Sequence, residues 1–212
     1  MRRIRISSPF AQSLSKGRPF FGVKEKSGDS SGSARTEVAI GQHGFTLVEM
    51  LVALSLFAAI AAMKAVPGAV VGAGTVLDPA MLAGAIHAGA EFIVSPGLTD
   101  NLGKAAVASG IPFLPGTANA GDIMRGMDLG LSHFKFFPAA TSGGIPALKA
   151  LAGPFGQARF CPTGGITAAT APEWLALDPV LCVGGSWVVP AGPLDPARIE
   201  TLAREASALS RH

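Results

Sequence analysis

The chain has 212 residues, 49% of them hydrophobic and 15% charged, with a formal net charge of +3 at pH 7. That balance suits one α/β domain with a buried sheet, plus an additional segment. The basic residues cluster early, at Arg2, Arg3, Arg5, Lys16, Arg18, Lys24, Lys26 and Arg35, so the rest of the chain shows no basic face of the kind nucleic acid demands. The two cysteines, Cys161 and Cys182, lie in apolar runs and read as reduced core thiols, not as a disulfide framework or a zinc site. The four histidines, His43, His87, His133 and His212, show no ligand spacing, so neither a metal nor a cofactor is expected.

Residues 1–43 are rich in Ser, Gly, Arg and Lys and read as a disordered or leader segment. An apolar stretch follows, from Phe45 through Met63, with Glu49 as its only charge. Its length is borderline for a membrane span. The other reading bends it into a strand over Phe45–Leu51 and a helix.

From Val70 onward one unit repeats: an apolar run, a small-residue turn, then an alanine-rich helical pattern. The runs are Val70–Gly74, Phe92–Gly97, Phe113–Gly116, His133–Ala139, Arg159–Gly165 and Val180–Ser186. Near-continuous apolar strands alternating with helices predict a parallel sheet. Asp78-Pro79 and Asp195-Pro196 each read as a helix cap followed by proline at the first helical position. Thr99 or Asp100 caps a helix that runs to about Ser109 and stops at Gly110. In the last helix Ile199, Leu202, Ala203, Ala206 and Leu209 share one face, a stripe expected to pack on the sheet. Six units are visible where a closed (β/α)8 barrel needs eight. The expectation is an α/β fold of the TIM-barrel type over residues 64–212, with its first one or two strands missing or replaced by residues 44–63.

Lys135 lies within Ser132-His133-Phe134-Lys135-Phe136-Phe137-Pro138-Ala139. Burying an ammonium without a partner is costly, and a lysine meets that cost by shifting towards its neutral form. A neutral amine in an apolar pocket attacks carbonyl carbons and forms Schiff bases. An isolated lysine would more often be an edge-strand residue reaching out to water. Here two glycine-rich turns reverse that preference: Thr163-Gly164-Gly165-Ile166 and Gly184-Gly185-Ser186-Trp187. Each follows an apolar run and precedes a helix-like segment, so backbone N–H groups and a helix dipole could meet an anion there. Two such turns after the last two strands of a β/α barrel make the usual barrel phosphate site.

Residues 70–190 resemble the 2-keto-3-deoxy-6-phosphogluconate (KDPG/KHG) aldolase family. The resemblance rests on Val71-Gly72-Ala73-Gly74-Thr75-Val76, Ser95-Pro96-Gly97, Phe134-Lys135-Phe136-Phe137-Pro138-Ala139, Cys161-Pro162-Thr163-Gly164-Gly165-Ile166 and Gly184-Gly185-Ser186-Trp187, in family order. It implies a metal-free class I aldolase of the cytoplasm, usually a homotrimer. Such an enzyme cleaves KDPG to pyruvate and glyceraldehyde 3-phosphate in the Entner–Doudoroff pathway. Lys135 would form the Schiff base, Thr75 would help hold the pyruvyl carboxylate, and Pro96 and Phe137 would line the pocket. Thr163, Gly164, Gly165, Gly184, Gly185 and Ser186 would hold the phosphorylated substrate.

The family's second strand carries Glu-Val-Thr-Leu-Arg, whose glutamate shuttles protons and whose arginine grips the carboxylate. Glu49 is the only counterpart for the glutamate, and Ala53 stands where the arginine belongs. Loss of a charge-assisted contact of that kind costs about 1.5–3 kcal/mol. The same segment, Gly44-Phe45-Thr46-Leu47-Val48-Glu49-Met50-Leu51-Val52-Ala53-Leu54, also resembles the amino-terminal signature of type IV pilins and type II secretion pseudopilins. The alternative expectation is therefore a degenerate barrel anchored in the inner membrane through residues 44–63, with little or no activity. A third reading is a barrel that binds a phosphorylated ligand without turnover.

Overall fold

The structure, a computed structural model, describes residues 59–60 and 62–209. The expectations for residues 1–43, for Glu49 and Ala53, and for most of residues 44–63 fall outside the described residues. Residues 59–60 and 62–64 are helical. Ile60 is only 1% exposed and belongs to the main core cluster.

All six predicted runs carry parallel pairing, the sixth through isolated bridges only. The first five hold the strands β1 (Gly72–Ala73), β2 (Phe92–Val94), β3 (Phe113–Leu114), β4 (Gly116–Thr117), β5 (His133–Phe136) and β6 (Arg159–Pro162). β1-β2-β3 form one parallel set and β4-β5-β6 another. β3 and β4 are one predicted run broken at Pro115. A proline has no N–H for the ladder, but its carbonyl still accepts from the Lys135 N–H at 2.8 Å.

The last predicted run, Val180–Ser186, is less regular than expected. It meets β6 only at two isolated bridges, Phe160 with Val180 and Thr163 with Gly184. Two residues of β6 lie between those bridges, against three on the partner, Leu181, Cys182 and Val183. One extra residue facing a shorter partner is a bulge, and it unpairs the segment locally.

Helices α1 (Pro79–His87), α2 (Asp100–Ser109), α3 (Ala120–Asp128), α4 (Gly144–Ala152), α5 (Ala171–Leu175) and α6 (Pro196–Ala208) follow the strands. The caps fall where side-chain chemistry places them. Asp78 accepts from Met81 N at 2.8 Å, Thr99 from Leu102 N at 3.3 Å, and Asp195 from Ala197 N and Arg198 N at 3.1 Å each. Thr99, not Asp100, is the cap of α2, and Gly110 ends that helix at φ 71°. Two expectations need correction. The stripe on α6 is the less exposed side of that helix, but none of its residues is buried. The glycine turns do not lead directly into helices. α5 begins only at Ala171, after a Thr167–Thr170 hydroxyl turn. After Ser186 the chain runs through Val189-Pro190-Ala191-Gly192-Pro193, whose prolines cannot carry helical hydrogen bonds.

The core lies between the strands and the helical layer. In β5 and β6 exposure alternates: Phe134, Phe136 and Phe160 are at most 1% exposed, whereas His133, Lys135, Arg159 and Cys161 are half-buried. Alternate strand side chains point to opposite faces. The phenylalanines thus meet the helices and the polar set meets the barrel interior. Gly126 of α3 sits against the Phe134 ring so closely that a Cβ there would collide with it. Phe136 pairs with Trp174 of α5 at 6.3 Å between centroids, and Phe134 with Phe160 at 6.1 Å. Truncating a large core aromatic removes its burial and leaves a cavity. Phe134→Ala should therefore destabilise the fold by about 3–5 kcal/mol, read as a lower urea midpoint with an unchanged m-value.

Candidate active site

The half-buried faces of the strands surround a cavity of about 400 Å³. Lys135 reaches into it from β5, with Cys161 from β6 and Thr163 just beyond it, Cys182 and Gly184 from the bulged segment, and His133 and Arg159 nearer the strand starts. The lysine backbone is held on both sides. Its N–H donates to Pro115 O, Thr117 Oγ1 donates to its carbonyl at 3.5 Å, and its register partner across β6 is Cys161.

Among the described residues no carboxylate pairs with Lys135. Its amine lies over the Phe137 ring, 4.4 Å from the centroid. Burial pushes the amine below the usual lysine range, and the nearby Cys161 sulfur partly opposes that shift. The net direction favours the free amine, the nucleophilic form. His133 is also held below its ordinary value, by burial first and by Arg159 second.

The glycine turns close around the same end of the strands. Ala139 N donates to Thr163 O at 2.8 Å and Ala140 N to Gly164 O at 3.0 Å, which ties the stretch after the lysine to the first turn. Gly164 and Gly165 adopt φ of 100° and 76°, values that L side chains avoid. A Cβ on Gly164 would lie 3.4 Å from the Phe137 ring, and one on Gly184 would lie 2.6 Å from Thr163 Oγ1. Gly185 packs beneath the Trp187 ring.

The predicted residues divide accordingly. Lys135, Phe137, Thr163, Gly164 and Gly184 are in mutual proximity, with Gly165 in the same turn and Gly185 and Ser186 just beyond Gly184. Pro96 lies against Gly116, two strands away. Thr75 is exposed beyond β1 with φ 60°, a strained conformation for a β-branched residue. Glu49 lies outside the described residues. Two further residues come from the correction of the cysteines. Cys161 and Cys182 are half-buried and line the cavity instead of filling the helix-side core. The alternation in Arg159-Phe160-Cys161-Pro162, with Phe160 on the core face, was the signal that could have placed Cys161 inward.

A half-buried amine facing the cavity of a parallel β/α barrel, at the end where the strands lead into their turns, is the apparatus of a Schiff-base enzyme. A family model for KDPG and KHG aldolases matches residues 34–203. The chain is 63% identical over 153 residues to a 2-dehydro-3-deoxy-phosphogluconate aldolase of Zymomonas mobilis, covering 72% of this chain and 74% of that one. It is 57% identical over 146 residues to a KHG/KDPG aldolase of Escherichia coli, covering 68% of each. Among solved structures, a Zymomonas mobilis KDPG aldolase with 3-phosphoglycerate superposes at a TM-score of 0.72 with 62% identity, over 73% of this chain and 74% of that one. A Legionella pneumophila KDPG aldolase, with pyruvate captured as a covalent carbinolamine, superposes at 0.68 with 42% identity, over 74% and 76%. The chain belongs to the KDPG and KHG aldolase family, with the (β/α)8 class I aldolase fold.

The lowered lysine carries a stability consequence. Between its folded value and 10.5, the unfolded chain binds the extra proton, so Lys135 destabilises the fold and stability rises with pH across that window. Lys135→Met should raise the melting temperature at neutral pH, and the gain should shrink as pH approaches the ordinary lysine value.

Proposed function

We propose that the chain is a class I aldolase that cleaves 2-keto-3-deoxy-6-phosphogluconate to pyruvate and glyceraldehyde 3-phosphate. The observation that carries this reading is the Lys135 amine. It is depressed by burial, faces the cavity, and lies beside a turn built from positive-φ glycines. The Lys135 nitrogen adds to the keto carbon, and loss of water gives an iminium. Cleavage of the C3–C4 bond sends its electron pair into that iminium, and the C4 hydroxyl proton leaves to a base as the aldehyde departs. Protonation of the resulting enamine and hydrolysis then release pyruvate and the free lysine. The Phe137 ring lies against the amine. Gly164, Gly165, Gly185 and Ser186 take the phosphate end through backbone N–H and hydroxyl groups, Thr163 and Gly184, whose own N–H groups donate to Phe136 O and Pro162 O, shape the turns beside it, and Thr75 and Pro96 border the pyruvyl end. The pyruvate carbinolamine in the Legionella pneumophila relative and the 3-phosphoglycerate in the Zymomonas mobilis relative support a site that takes a pyruvyl group covalently and a phosphorylated compound.

Glu49 is proposed as the proton-transferring base, on the strand-and-helix reading of residues 44–63. Two observations support that reading over a pilin-like anchor. The family match begins at residue 34 and runs through the segment, and Ile60 is part of the barrel core. Among the described residues no helix is long and apolar enough to cross a membrane. The reading carries with it a homotrimer working in the cytoplasm, to be checked by light scattering of the purified chain.

Incubation with pyruvate followed by borohydride should add one reduced pyruvyl group, mapped by mass spectrometry to Lys135. An adduct on Lys104 or Lys149, or on no lysine, overturns the assignment. Ser186→Asp places a carboxylate where the phosphate would sit. It should raise KM for the phosphorylated substrate by roughly ten- to a hundredfold, the scale of one lost charge-assisted contact, while leaving pyruvate trapping intact. Equal effects on both would mean that this turn is only structural.

A further inference from the structure

Neither Cys161 nor Cys182 has a part in the aldolase chemistry above, yet both thiols face the cavity. Parallel strand neighbours lie about 4.8 Å apart, inside the Cα separation of about 4.4–6.8 Å that a disulfide spans. The bulge between the Phe160–Val180 and Thr163–Gly184 bridges brings Cys182 beside Cys161. Both side chains line the same cavity. Thr163 Oγ1 lies 3.9 Å from the Cys161 sulfur, and Lys135 is the register partner of Cys161. The Cys161 thiol, with the Thr163 hydroxyl and the Lys135 amine beside it, is the better nucleophile of the pair, and its neighbour is placed to resolve it.

We propose that Cys161 and Cys182 form a redox-active dithiol within the barrel, which hydroperoxides convert to an intramolecular disulfide. The Cys161 thiolate attacks the terminal oxygen of the hydroperoxide. The O–O bond breaks, the alcohol (water, for hydrogen peroxide) leaves with a proton, and Cys161 becomes a sulfenic acid. The Cys182 sulfur then attacks Cys161, the S–O bond breaks, and hydroxide leaves as water with the Cys182 proton. The two sulfurs together lose two electrons and the peroxide gains them. The contact with Cys161 first, and burial second, raise the Cys182 thiol well above its ordinary range, while Cys182, Thr163 and Lys135 together hold Cys161 below its own. These directions agree with Cys161 attacking and Cys182 resolving. The cavity is the entry route. The proposal therefore rests on the active-site reading for access only, and its readout is independent of turnover.

These are the only two cysteines in the chain, so an intramolecular disulfide can join no others. The full-length protein treated with hydrogen peroxide should lose the mass of two hydrogen atoms per chain. Non-reducing digestion should yield one linked peptide pair containing Cys161 and Cys182, and dithiothreitol should reverse both changes. In Cys182→Ser the sulfenic acid should persist and be captured by dimedone on Cys161. In Cys161→Ser, Cys182 should stay a thiol under the same dose. Retention of both thiols, a disulfide formed only between chains, or dimedone capture on Cys182 instead of Cys161 would each overturn the proposal.

Discussion

Everything at the candidate site depends on the register between β5 and β6. Pairing Phe134 with Phe160 and Lys135 with Cys161 sorts two neighbouring strands into an apolar outer face and a reactive inner one. A slip of one residue would exchange those faces. Lysine would enter the helix layer, where Gly126 leaves room for a flat ring, and phenylalanine would fill the cavity. The aromatic pairs on the outside therefore fix the Lys135 amine on the inside, with no direct contact between them needed.

The environment of Lys135 is a compromise between two opposing influences. Burial expels charge from the amine, while the Cys161 sulfur and the Phe137 ring both favour a cation. Burial prevails in direction, so the amine is shifted towards its free form while groups that favour a cation stay beside it. A Schiff-base lysine needs this intermediate state: it attacks as the free amine, and its adduct bears a positive charge that must be tolerated for a moment. The same neighbours that oppose deprotonation are suited to accommodate that transient cation.

Much of the fold was legible because the signals were local. Asp78, Thr99, Asp195 and Gly110 set helix ends through their own hydrogen bonds and dihedrals, and near-continuous apolar runs marked parallel strands. Lys135 was legible because an ammonium in an aromatic run contradicts its surroundings. The features that were missed depend on pairing between distant segments. The bulge at Leu181–Val183 exists only against β6, and the inward thiols follow from that pairing. The glycine turns promised helix termini, but the prolines downstream and the Thr167–Thr170 hydroxyl turn delayed the helices. The stripe on α6 was assigned to the correct side of the helix, but the extent of its cover depends on what packs there, which periodicity does not encode.

The Phe137 ring is a shared wall: Lys135 Nζ lies over its centre at 4.4 Å, and Gly164 borders its edge. If the turn carries the phosphate as proposed, substrate range and reactivity are mechanically geared to each other. A mutation that enlarges the anion turn at Gly164 displaces the ring and so retunes the amine as well. Divergence towards differently charged substrates is thus steered away from Gly164, and from Gly185 beneath the Trp187 ring, and towards Ser186. Paralogues of this barrel that have changed substrate should show their variation there first, with the Phe137–Gly164 contact inherited as a unit.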